Sequence, residues 1–196
     1  MRVVMSKSEG KKSVAREQLL VTASSLFFHK GFHAVGVDTI AAESGITKMT
    51  MYKHFPSKDH LIVAILERSD ELYWEWFENT IHQIPEPENQ LIAIFEAVAK
   101  QHSSSPMSTF CLYQAVAVEF PFPEHIVNKA AVDHKQSVIK RLESICKQAE
   151  LHSPELLARQ LFLLLEGFCM SSRFLGADSP AAGVVNAAIT MIQSYR

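Results

Sequence analysis

Cysteine is scarce and poorly placed for chemistry: Cys111, Cys146 and Cys169 are the only three, widely separated and without a CxxC spacing. That excludes a zinc clip or a disulfide framework, and the odd number points to a reduced, intracellular chain. Glycine (7) and proline (8) are few among 196 residues, so the composition is that of a packed chain rather than a low-complexity one. No stretch alternates with period two for long enough to make a strand. Long apolar runs are missing too. The uncharged run from Gln101 to Val118 opens with Ser103, Ser104, Ser105 and Pro106, too polar for lipid, and the N-terminus carries Arg2, Lys7, Lys11 and Lys12 without the apolar core of a signal peptide. A soluble, cytoplasmic protein with no membrane partner is expected. Phosphate loop, nucleophile elbow and HExxH spacing are all absent, so no enzyme, cofactor or metal site is expected.

What is present is helix and an uneven distribution of charge. The net charge is −2, yet residues 1–58 hold nine Lys/Arg against four Asp/Glu, a local +5. A basic end on an acidic body suits a nucleic-acid-binding module joined to a different module. Apolar residues recur at helical spacing almost throughout, and loop punctuation divides the chain into about nine helices, an all-α fold. The first runs from about Ser13 to Lys30, burying Leu19, Leu20, Ala23, Leu26 and Phe27, and stops at Gly31. Two short helices lie between Val37 and Phe55, and a longer one runs from a Ser57 cap to about Ile81. A fifth opens at Pro85 and Pro87, a sixth spans about 108–119, and a seventh runs from Pro123 to about Leu151. Ser153 and Pro154 cap and open an eighth reaching about Gly176, and Pro180 opens a ninth that reaches the C-terminus.

The informative stretch is Val37 to Phe55. Gly45 ends a helix with a residue that tolerates positive φ, Thr47 caps the next, and Ile40, Ile46, Met51 and Phe55 supply the apolar face that sets the pair against helix one. That is the build of a three-helix helix-turn-helix. Its outward face is Lys48, Met49, Tyr52 and Lys53, with Thr47, Thr50 and His54 at the margins. Lysine can reach guanine O6/N7 or a phosphate, and Thr, Tyr and His donate to phosphate oxygens. Lys58 opens the following helix, where free backbone N–H groups favour an anion.

The run from Arg16 through Leu66, above all Ile46-Thr47-Lys48-Met49-Thr50-Met51-Tyr52-Lys53-His54-Phe55-Pro56-Ser57-Lys58, resembles the DNA-binding domain of the TetR family of transcriptional regulators. Thr50, Met51, Tyr52, Phe55 and Lys58 fill the family's pattern, and Lys30-Gly31-Phe32 matches the Gly-aromatic pair that ends helix one. The resemblance implies that Thr47, Lys48, Met49, Thr50, Tyr52, Lys53, His54 and Lys58 face double-stranded operator DNA. Gly36 departs from the pattern, standing where a Ser or Thr often caps helix two. Met49 departs as well, being larger than the usual residue.

The same resemblance implies a homodimer whose C-terminal helical domain binds a small effector, giving a basic arm over 1–12, a reader over 13–58 and an effector and dimerisation domain over 59–196. Helices eight and nine would form the dimer interface through Leu161, Leu164, Phe168, Val184, Ala188 and Met191. Candidate pocket residues are Trp74, Phe77, Phe110, Cys111, Gln114, His134, Phe162 and Glu166. Phe95, Tyr113, Phe168 and Met170 are further apolar candidates, and Glu119 and Arg173 further polar ones, since polar groups on apolar helices need partners. The expected function is a sequence-specific regulator, a repressor released from a palindromic site by an effector. A haem- or metal-responsive sensor using His102, Cys111, His125 and His134 is the alternative, with a small helical enzyme behind it.

Overall fold

The computed structural model describes the backbone of residues 7–104, 110–176 and 181–196, and the side chains of 14–100, 112–176 and 183–196. Among the described residues there are nine helices and no strand: α1 Lys7–Lys30, α2 Val37–Ser44, α3 Lys48–His54, α4 Lys58–Ile81, α5 Pro87–Ser104, α6 Phe110–Glu119, α7 Ile126–Gln148, α8 Pro154–Leu175 and α9 Ala181–Gln193. No described helix is long and apolar enough to cross a membrane.

Three boundaries differ from the sequence reading. Helix α1 starts at Lys7, so residues 7–12 of the expected basic arm are helical, and 1–6 lie outside the described residues. Helix α7 begins at Ile126 instead of Pro123, because a turn intervenes in which His125 N–H donates to the Phe122 carbonyl (3.0 Å). It ends at Gln148 by a Schellman arrangement. Leu151 N–H reaches back to Cys146 O (3.2 Å) and Glu150 N–H to Lys147 O (3.1 Å), with Glu150 at φ +53°. Ser153 does not cap α8 with its side chain. Its backbone is left-handed (φ +48°), and its carbonyl accepts from Leu157 N–H (3.1 Å) instead. Pro180 lies outside the described residues.

The chain divides into two compact units, one of residues 1–68 with 115–130 and one of 69–114 with 131–196. In the first, α1, α2 and α3 pack on one another over Leu19, Leu20, Ala23, Phe27, Ile40, Met51 and Phe55, with Leu26 only half-buried. Residues 115–130 contribute Val116, Phe120 and Val127 to the buried set. The Phe32 ring meets both Phe27 (5.1 Å) and Phe120 (5.6 Å). The second unit has its own continuous core, drawn from α4, α5, α7, α8 and α9, with Phe77, Phe95, Leu142, Leu161 and Ala188 fully inaccessible. Cys146 and Cys169 are free thiols inside it, and burial pushes Cys146 up to about 11, away from the reactive thiolate.

Candidate nucleic-acid interface

Helix α3 has only seven residues, too few to hold its shape in water unaided. Its conformation is imposed from both ends and from beneath. At the start, the Thr47 hydroxyl accepts from Thr50 N–H (3.2 Å) and lies 3.0 Å from the Thr50 hydroxyl. Beneath, Met51 and Phe55 are buried, and the Arg16 guanidinium sits over the Phe55 ring (5.4 Å). Ahead of it, Gly45 takes φ +67° and ends α2. The turn is tied by Ser44, whose hydroxyl accepts from Ile46 N–H (3.3 Å) and whose carbonyl accepts from the Gln18 side chain (2.7 Å). Sequence reasoning missed both Gln18 and Ser44, since a polar side chain on a helix gives no sign of which distant carbonyl it will meet.

With Met51 and Phe55 pinned inward, the 3.6-residue period turns Lys48, Met49, Tyr52 and Lys53 outward. All four are exposed, Met49 at 68% and Tyr52 at 47%. Thr47 is exposed as well, while Thr50 and His54 are half-buried at the margins. Lys48 is ion-paired with Asp38 of α2. Both side chains are solvent-exposed, so the pair is weak, about 1 kcal/mol or less, and readily exchanged for a phosphate. Gly36 is extended (φ −82°, ψ 162°) and offers α2 no side-chain cap, which leaves its first N–H groups open.

Lys58 opens α4 behind Ser57, whose hydroxyl accepts from His60 N–H (3.3 Å). Partial desolvation lowers the Lys58 pKa, opposed by the charges of Asp59 and Glu119. Asp59 in turn lies 3.4 Å from the His125 ring. Glu119, a pocket candidate by sequence, serves elsewhere. Its carboxylate instead accepts the main-chain N–H groups of Phe32 (2.9 Å) and His33 (2.6 Å), fixing the turn between α1 and α2.

The pocket candidates divide in the second unit. Phe77, Phe95 and Phe168 are plain core, and Trp74 and Phe162 are half-buried against it. Met170 is exposed. His134 is buried, its Nδ1 2.5 Å from Asp70, with the Tyr113 ring stacked flat on it at 4.1 Å and Tyr73 edge-on at 4.8 Å. Glu166 accepts from Lys135 (2.5 Å), whose ammonium lies over Tyr113 (5.6 Å) and Phe162 (5.8 Å). Desolvation is the largest influence on His134 and lowers its pKa, against the hydrogen bond that its ring donates to Asp70. Gln114 is buried. The side chains of Phe110, Cys111 and His102 lie outside the described residues. Among the described residues no three His, Cys, Asp or Glu side chains converge as metal ligands would.

The residues expected at a dimer interface need correction. Leu161, Phe168, Val184 and Ala188 are buried in their own unit's core, because the apolar face of α8 packs on α9 within the chain. Only Leu164 and Met191 stay half-exposed. The exposed apolar side chains of α8 are Leu156, Leu163, Met170, Phe174 and Leu175.

Comparison with known proteins agrees with this geometry. Residues 19–65 match the family model of bacterial regulatory proteins of the tetR family. The chain is 47% identical over 53 residues to the HTH-type transcriptional activator FasR of Mycolicibacterium smegmatis, covering 27% of this chain and 24% of that protein. It is 28% identical over 103 residues to the HTH-type transcriptional repressor KstR2 of Mycobacterium tuberculosis, covering 50% and 52%. The chain thus spans about a quarter to a half of the length of these curated relatives. The crystal structure of SCO4454, a TetR-family transcriptional regulator from Streptomyces coelicolor, superposes with a TM-score of 0.79 at 26% identity, covering 93% of this chain and 94% of that one.

Proposed function

We propose that this chain is a TetR-type regulator, a homodimeric, sequence-specific DNA-binding repressor released from a palindromic operator by a small molecule. The observation that carries this reading is the split of α3 into a buried pair, Met51 and Phe55, and an exposed face of Lys48, Met49, Tyr52 and Lys53. That face fits a major groove. Lys48 is the base reader, Met49 the apolar contact for a thymine methyl, and Thr47, Thr50, Tyr52, Lys53, His54 and Lys58 hold phosphates. Similarity to a repressor extends over half of this chain, whereas similarity to an activator stops at 53 residues, which favours repression.

In this reading 13–58 is the reader and 59–196 the effector and dimerisation domain. The dimer forms through the outer edges of α8 and α9, where Gln160, Leu163, Leu164, Ala187, Thr190 and Met191 line an open groove. A two-fold axis there presents two recognition helices about 34 Å apart, one turn of duplex. An effector that prefers one separation of the readers lowers operator affinity by linkage.

Selection of bound sequences from random duplex DNA, followed by binding to the selected site at two salt concentrations, tests the reading. A palindromic consensus with a steep salt dependence is expected. A folded dimer that enriches no sequence overturns it.

A further inference from the structure

The second unit buries an acceptor that its described side chains leave without a donor. Gln114 is 9% exposed, and its Oε1 makes no hydrogen bond. A buried carbonyl oxygen in that state destabilises the folded chain, and an apolar side chain of the same volume would remove the cost. No described residue supplies its donor, which leaves the oxygen open to one from a ligand.

The surroundings narrow the identity of that donor. Among the described residues the buried polar side chains are Ser44, Ser69, Gln114, His134 and Ser172, so no lysine, arginine or carboxylate is buried. The two carboxylates that pair with His134 and its neighbour Lys135 are matched, Asp70 by His134 and Glu166 by Lys135. With Nδ1–H given to Asp70, the neutral imidazole keeps Nε2 as a second acceptor. An anionic ligand meets no buried cation here, and a cationic one no unmatched carboxylate. Gln114 also directly follows Tyr113, a buried ring that already stacks flat on the His134 ring. Flat stacking of this kind suits a planar aromatic body.

We propose that the second unit takes an uncharged aromatic compound bearing a hydroxyl or ring N–H, whose donor is accepted by Gln114 Oε1 beside the Tyr113–His134 stack. The inference rests on the effector-controlled reading above and gives that effector a chemical class.

The test uses the full chain and three probes of one shape: 2-naphthol, 2-methoxynaphthalene and 2-naphthoate. Calorimetry gives the affinities, and quenching of Trp74 and Trp76, the only two tryptophans, reports occupancy of the second unit. 2-Naphthol should bind about tenfold more tightly than its methyl ether, the effect of one buried hydrogen bond, and naphthoate more weakly than either. Gln114→Leu should erase the preference for naphthol over the ether and raise the thermal midpoint of the free protein. Where that variant does not fold by circular dichroism, Gln114→Met serves in its place with the same expectation. Equal affinity for naphthol and ether, preference for naphthoate, no binding of any probe, or a preference that survives at 114 each overturns the proposal. Operator binding by the ligand-free chain is scored separately. Its loss with the naphthol preference intact removes the regulator reading alone, and loss of the preference in a chain that binds its operator removes the ligand class alone.

Discussion

A β-carbon placed on Gly31 would stand 3.0 Å from Oε1 of Glu119, closer than nine in ten side-chain contacts. The closeness follows from the role of Glu119 as a two-pronged acceptor for the N–H groups that come next, those of Phe32 and His33. His33 returns a ring contact to the Glu119 carbonyl (2.7 Å) and packs against Phe120 (4.9 Å). Glu119→Ala should lower stability by about 2 kcal/mol, because two main-chain donors, one part-buried and one exposed, lose a charged acceptor. Glu119→Gln should cost roughly half of that. Gly31→Ala combines crowding with φ +84° and should cost about 1–2 kcal/mol. Urea unfolding of the three variants checks the order; an unchanged midpoint for Glu119→Ala would remove the clamp.

Thr47 holds the first turn of α3 through its hydroxyl. Thr47→Ala should cost about 1 kcal/mol, and Thr47→Ser should recover most of it. The same pair of variants separates capping from DNA contact. If Thr47→Ser restores stability but not operator affinity, the methyl group matters at the groove.

The exposed pair of Lys48 and Asp38 predicts opposite effects from its two members. Asp38→Asn frees the ammonium and removes an anion near the phosphates, so affinity should rise up to about fivefold on any duplex. Lys48→Ala should lower affinity and also relax base preference, whereas Tyr52→Phe and Lys58→Ala should weaken all sequences equally and flatten the salt slope. Fluorescence anisotropy on cognate and scrambled duplexes distinguishes these cases. Equal loss on both for Lys48→Ala would end its base-reading role.

His134 predicts a pH dependence with a definite sign. Burial lowers its pKa below the ordinary 6.5, with Asp70 and Glu166 favouring the proton and Lys135 opposing it. The unfolded chain therefore takes up a proton first as pH falls. The stability contribution is whole above the ordinary imidazole value and drains away as pH drops through it toward the lower folded value. Urea midpoints between about pH 7.5 and pH 5 should fall more steeply for the natural chain than for His134→Asn. Parallel slopes would show that other groups control the acid limb.

Leu163 is 67% exposed on α8 and lies in the groove assigned to the dimer. Leu163→Glu should leave the fold intact by circular dichroism and yield monomers in sedimentation, with operator affinity reduced. A dimer that persists places the two-fold axis elsewhere.

Much of the reader was legible because its signals are local. Gly45, Thr47 and the spacing of Ile40, Met51 and Phe55 act over a few residues, and the structure shows Gly45 left-handed, Thr47 capping and those three buried. The helix count was legible for the same reason, since apolar period and punctuation are written along the chain. The ends of α7 were less so. A Schellman turn usually announces itself by glycine, and here Glu150 occupies the left-handed position. For α8 the apolar pattern gave burial but not its partner, so Leu161, Phe168, Val184 and Ala188 were assigned to another subunit when α8 and α9 bury them against each other.

The sequence by itself determined the helical class, the helix-turn-helix and the outward set from Lys48 to Lys53, because hydrophobic period, capping and φ tolerance are properties of neighbours along the chain. Only the tertiary structure decided that residues 115–130 join the first unit, that Glu119 serves the turn after α1 rather than a pocket, and that Gln114 is buried with its oxygen unsatisfied. Those facts depend on contacts between residues far apart in the chain. A carboxylate or an amide looks the same in sequence whether it meets a backbone donor, a cation or nothing.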